Sequence, residues 1–71
     1  MENVLVFKTS VTKKTEVQKL SPLLNKLIKH NGCWNFDLED CDNILRVETQ
    51  KLQAGNISTL LQLQGFYCEE L

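Results

Sequence analysis

The stretch from Cys33 to Thr49, CWNFDLEDCDNILRVET, constrains this chain most, because its apolar residues recur at every second position on both sides of a polar cluster. Trp34, Phe36 and Leu38 alternate with Cys33, Asn35 and Asp37; on the return Leu45 and Val47 alternate with Ile44, Arg46 and Glu48. Period-two alternation is what a strand needs to bury one face and wet the other. Between the runs lies Glu39-Asp40-Cys41-Asp42-Asn43, whose Asp and Asn side chains bond local backbone and tolerate turn geometry. The stretch therefore predicts one antiparallel hairpin, with the rest of the chain covering its Trp34 face. Phe36 is read as a buried ring at the sheet centre, whose truncation to alanine is expected to cost about 3–5 kcal/mol.

Upstream, Asn3 to Lys8 holds the run Val4-Leu5-Val6-Phe7, the pattern of a strand buried on both faces or central in its sheet. From Lys13 to about Lys29 the residues Val17, Leu20, Leu24, Leu27 and Ile28 form one stripe of an amphipathic helix, with Thr12 as candidate N-cap. Pro22 falls away from that stripe, which predicts a kinked but continuous helix. His30-Asn31-Gly32 supplies a stop. Beyond the hairpin and Leu52, a second helix is expected from about Gln53 to Gln64 on Ile57, Leu60 and Leu61, with Leu63 off that face. Gly55 and Asn56 predict a frayed or displaced first turn. Gly65 closes this helix as its C′ residue, and Phe66 to Leu71 follows as a short last strand.

The order is thus β-α-β-β-α-β over one domain, residues 1–71. Two right-handed helical crossovers on a four-stranded antiparallel sheet give an α+β, ferredoxin-like arrangement with both helices on one face. The other face is left open, and Asn35, Arg46, Glu48, Tyr67 and Glu69 are the candidates to line it. Chain length makes every apolar position matter, since a single core at 71 residues supplies only ~3–5 kcal/mol.

Composition excludes more than it selects. With 42% apolar and 24% charged residues, the chain reads as soluble and globular. No apolar run reaches the roughly 20 residues of a membrane helix, and the N-terminus lacks the basic and long apolar regions of a secretory signal, so a cytoplasmic, membrane-free protein is expected. Three cysteines, Cys33, Cys41 and Cys68, without a C-x-x-C pair suit a reducing compartment. Charge is segregated along the chain: six lysines (Lys8, Lys13, Lys14, Lys19, Lys26, Lys29) face Glu16 alone between Lys8 and His30, whereas Asp37 to Glu48 carries five acids against Arg46.

An apolar first strand running into a loop and a lysine-bearing helix, a middle hairpin, and a second helix closed by Gly65-Phe66 before a short acidic strand together resemble the heavy-metal-associated, copper-chaperone-like domains. The resemblance covers nearly the whole chain. That family's signature is M-x-C-x-x-C in the first loop; here the loop reads Lys8-Thr9-Ser10-Val11-Thr12-Lys13-Lys14-Thr15, with neither cysteine in any register. Capture of Cu(I) needs two soft thiolates, which threonine and lysine cannot supply. No metal ligand carries over, and no cofactor is expected.

No other residue set makes a catalytic site. Asp37, Glu39, Asp40 and Asp42 lack the glycine and terminal glutamate of a calcium loop and read as a solvated turn. His30 reads as a last-turn residue favoured by the helix dipole. Gly32, Gly55 and Gly65 are isolated and form no phosphate loop. Nucleic-acid binding is disfavoured because the open face pairs Tyr67 with Glu48 and Glu69. The expectation is a non-enzymatic interaction module. The resemblance implies a lysine-bearing surface that docks an acidic protein partner, with Lys13, Lys14 and Lys19 as the residues to test. The alternatives are a metal-handling protein using Cys33, Cys41 or Cys68 in a non-standard thiol site, and a small-ligand regulatory domain.

Overall fold

The computed structural model describes residues 3–28, 32–39, 41–50 and 52–71. The elements run β1 (Asn3–Thr9), α1 (Lys14–Ile28), β2 (Gly32–Asp37), β3 (Ile44–Thr49), α2 (Ala54–Leu63) and β4 (Cys68–Glu70). All strand pairs are antiparallel, in the order β2-β3-β1-β4. This is the expected α+β, ferredoxin-like layout, with β1 central and the hairpin joined in the register Trp34↔Val47 and Phe36↔Leu45.

Register explains which side chains meet. Leu5 and Phe7 on β1 stand opposite Val47 and Leu45, which stand opposite Trp34 and Phe36, so one sheet face carries every aromatic residue of the strands and most of their apolar bulk, with Val4, Val6 and Ile44 on the other. Leu20, Leu24 and Ile28 of α1 and Ile57 and Leu61 of α2 pack on that face with Phe7, Leu45, Val47 and Cys68 as one buried cluster. Both helices therefore lie on the same side. The opposite face holds Asn35 opposite Arg46, Arg46 opposite Val6, Val4 opposite Glu48, and Lys8 opposite Glu69. Tyr67 precedes β4, and its hydroxyl donates to Glu69 of this face.

Strand order corrects the reading of Phe36 as a ring at the sheet centre. β2 is an edge strand, and Trp34 and Phe36 are only partly buried against the cluster, while the fully buried ring at the centre is Phe7. Alternation reports which face a residue takes; position in the sheet decides how deeply that face is covered.

Helix α1 is continuous through Pro22, whose exposed position keeps its ring off the buried stripe. Its N-cap is Lys13, not Thr12: the Lys13 carbonyl accepts from Val17 N–H at 3.2 Å, the first intrahelical bond. Glu16 reaches back from inside the helix: its Oε1 accepts from Thr12 N–H (3.0 Å), Lys13 N–H (3.1 Å) and, more weakly, the Thr12 hydroxyl (3.4 Å), so that hydroxyl donates to Glu16 and does not cap. The expected stop at His30-Asn31 lies outside the described residues, as do Met1, Glu2, Lys29, Asp40 and Lys51. Gly32 opens β2 instead: a Cβ there would stand 1.7 Å from the Glu48 carbonyl oxygen, so only glycine allows the strands to close at that point.

Helix α2 forms its first turn despite Gly55 and Asn56, opened by an Asn56 N–H to Gln53 carbonyl bond of 3.1 Å. Gly65 adopts φ 90°, with Phe66 N–H donating to the Leu61 carbonyl (3.0 Å) and Gly65 N–H to the Gln62 carbonyl (3.0 Å). These two bonds satisfy the carbonyls left over at the helix end, and Phe66 turns back onto the core. Leu63 is exposed, as its place off the stripe required.

Candidate functional site

A cleft of about 570 Å³ lies between the first turns of α1 and the outer side of β2. Lys14, Val17 and Gln18 form the helix wall; the strand wall runs from Trp34 through Asn35, Phe36, Asp37 and Leu38 to Glu39. Its apolar floor is the period-two row Trp34, Phe36 and Leu38 together with Val17, all partly buried against the core. The Trp34 indole N–H donates to Asn25 Oδ1 at 2.9 Å, which ties α1 to β2 below the cleft. Trp34 and Phe36 meet edge to face, ring centroids 5.9 Å apart. Such a pair is worth about 0.5–1.5 kcal/mol beyond its buried area, and it holds the two ring planes 75° apart along the strand.

The lysines read from the sequence do not form one cluster. Lys14 lines the cleft, Lys13 caps the same helix end, and Lys19 is exposed about 140° around α1 from Lys14. At this helix end the Glu16 carboxylate sits against the backbone, accepting from Thr12 N–H and Lys13 N–H just ahead of the first turn, and so places a negative charge there. Donation from Thr12 N–H, then from Lys13 N–H, holds the Glu16 carboxyl below its ordinary range.

The loop between β1 and α1, where the resembled family carries its thiolates, is tied down by other chemistry. Thr9 is buried; its hydroxyl donates to the Asn43 carbonyl (2.7 Å) and accepts from Val11 N–H (3.1 Å). Asn43 supports this turn at φ 51°, a left-handed conformation that asparagine tolerates. Ser10 N–H donates to the Tyr67 carbonyl (3.1 Å), Tyr67 N–H returns to Ser10 Oγ (2.9 Å), and Val11 is fully buried. This donor set of hydroxyls and a buried valine does not fit a soft metal. The cysteines stand apart: Cys33 is exposed on β2, Cys41 is exposed in the hairpin turn, and Cys68 is buried on β4. Cys33 and Cys68 occupy opposite edges, three strand spacings or roughly 14 Å apart across the sheet and, by register, a further roughly 16 Å apart along it. Among the described residues no group of three or more His, Cys, Asp or Glu gathers to hold a metal.

A second hollow of about 150 Å³ sits on the open face, lined by Cys33, Trp34, Asn35, Arg46 and Glu48, with the Cys33 thiol donating to Glu48 Oε2 at 3.0 Å. Lys8 and Asp42 pair at 3.7 Å, both half exposed, a contact worth little. Nearby, the hydrogen bond to Glu69 raises the Tyr67 hydroxyl above its ordinary range.

Sequence reasoning placed Trp34, Phe36 and Leu38 in the core and so missed that they floor a cleft. The expected topology already made β2 an edge strand, but did not say how far α1 covers it. Among the described residues no helix is long and apolar enough to cross a membrane. Compared with known proteins, the chain matches no family model, no curated protein and no solved structure.

Proposed function

We propose that this chain is a non-enzymatic interaction module, a relative in form of the heavy-metal-associated domains without their metal loop, that docks a protein partner of acidic surface through the first turns of α1. The observation that supports this most is the exposed pair Lys13 and Lys14 beside a mostly apolar cleft on the sheet edge. The cleft gives apolar area to bury, and the lysines give direction to the encounter. Exposed rim charges act mainly on association rate and its salt dependence, because screening sets in over about 8 Å at physiological ionic strength.

Lys14→Glu should therefore slow association with the captured partner and flatten its salt dependence, with Lys19→Glu having the smaller effect because it points away from the cleft. Both side chains are exposed, so the fold should survive. Glu69→Lys with Glu70→Lys on β4 is the control and should leave association unchanged. Loss of partner with the β4 reversal, and none with the α1 reversals, would contradict the assignment.

A further inference from the structure

The two edges of the sheet are finished differently. β4 is three residues long and ends in Glu69 and Glu70, whereas β2 runs six residues, Gly-Cys-Trp-Asn-Phe-Asp, with neither lysine nor proline. Among the described residues no strand pairs with the outer side of β2. Short length and charge are how proteins blunt an edge against strand addition, and β2 carries little of either. Directly beside this edge lies the cleft, whose apolar row repeats at period two.

We propose that the cleft takes an extended peptide segment of a partner protein, added to β2 as a fifth strand, with apolar side chains at alternate positions over Trp34, Phe36 and Leu38 and one acid placed for Lys14. The proposal deepens the interaction reading above and rests on it. A strand fits where a helix does not: its side chains alternate in step with the row, and its backbone satisfies the edge N–H and C=O groups that a helix would leave bare. Trp34 to Asp37 gives roughly 13 Å of strand edge, enough for about four paired residues, and Leu38 extends the apolar row into the bend beyond it.

Charge sets the end of the segment. Lys14 is the cation of the cleft lining, at the end where β2 runs into Leu38 and Glu39. Asp37 is engaged locally, its Oδ1 accepting from Glu39 N–H at 3.2 Å. Exposed Glu39 repels a second acid, so the fit is to one acid and not an acidic run. A second copy of this chain fits worse. Paired antiparallel along β2, it would bring its own Gly32 and Cys33 to the Lys14 end and offer no acid there.

The test is selection of random linear peptides on the intact chain, followed by titration of resynthesised winners against Trp34, the only tryptophan, read by its emission. Expected winners alternate apolar residues at period two and carry an acid at one end. N-methylation of every second peptide amide should weaken binding at least tenfold for one set of alternate amides and leave the other set near wild type. Lys14→Glu should lower affinity for the same peptides by roughly tenfold. Winners with helical spacing, no enrichment, self-association of the chain through β2, or indifference to methylation of either set would overturn strand addition. If Lys14→Glu removes binding while methylation does not, lysine docking survives and strand addition falls. If methylation removes binding while Lys14→Glu does not, strand addition stands and both the acid and the lysine-docking reading fall.

Discussion

β2 and β4 are both edge strands, yet they sit in the molecule in opposite ways. β4 is short, acidic and strapped: Cys68 is buried, its carbonyl accepts from Gln62 Nε2 at 3.3 Å, and Leu71 N–H reaches the Val6 carbonyl at 2.9 Å just beyond it. β2 is twice as long and covered on its helix face chiefly by α1, and its aromatic residues remain partly in contact with water. An edge closed by its own chemistry has no need of a partner. One that keeps an apolar row beside an edge with no neighbouring strand among the described residues is expensive to leave exposed, and the difference is why the proposal above looks to the β2 side.

Burial depth breaks or sharpens this contrast most strongly. Phe7→Ala, at the fully buried centre, should cost about 3–5 kcal/mol because a closed cavity adds to the lost transfer energy. Phe36→Ala should cost only about 1–2 kcal/mol, since its ring is partly solvated and its removal opens the cleft wider without leaving a sealed void. Urea unfolding of both variants measures this; equal losses would place β2 inside the core.

Thiol chemistry separates the same two edges with a smaller effect on the molecule. Cys33 and Cys41 should alkylate readily in the native protein, whereas Cys68 should react only on opening, as counted by mass after a timed iodoacetamide pulse. Burial pushes the Cys68 thiol up, with a Ser58 hydrogen bond partly offsetting it. The folded-state value then lies above the unfolded one. Cys68 therefore supports the fold fully below the ordinary thiol range near 9.0, and that support is lost as pH rises through the folded value. Cys68→Ser should lose this alkaline dependence. Reaction of Cys68 as fast as Cys33 would mean that β4 is no better closed than β2.

Most of the fold was legible because its signals are local. The switch from period two to period 3.6, Gly65 at a helix end, and the stripe of Leu20, Leu24 and Ile28 each follow from one segment read alone. The Thr12 cap misled by one residue: hydroxyls before a helix usually cap it, but here the helix starts at Lys14 and Glu16 reaches back to Thr12 N–H and Lys13 N–H. Gly32 looked like a helix stop, while its close approach to the Glu48 carbonyl is a cross-strand fact. The cleft was hidden for a related reason. Whether Trp34 and Phe36 are core or groove depends on how far α1 extends over β2, which is a tertiary quantity that no window of sequence carries.

The central claim is that the outer side of β2 is open, and residue-resolved amide hydrogen exchange on the free chain, under conditions where it is monomeric, tests it most directly. Amides of β3 should all be slow, since β3 is paired on both sides. In β2 the amides should alternate, those bonded to β3 slow and those between them exchanging at rates near those of an unstructured chain. Uniformly slow exchange across Trp34 to Asp37 would show an edge already covered and would contradict the account.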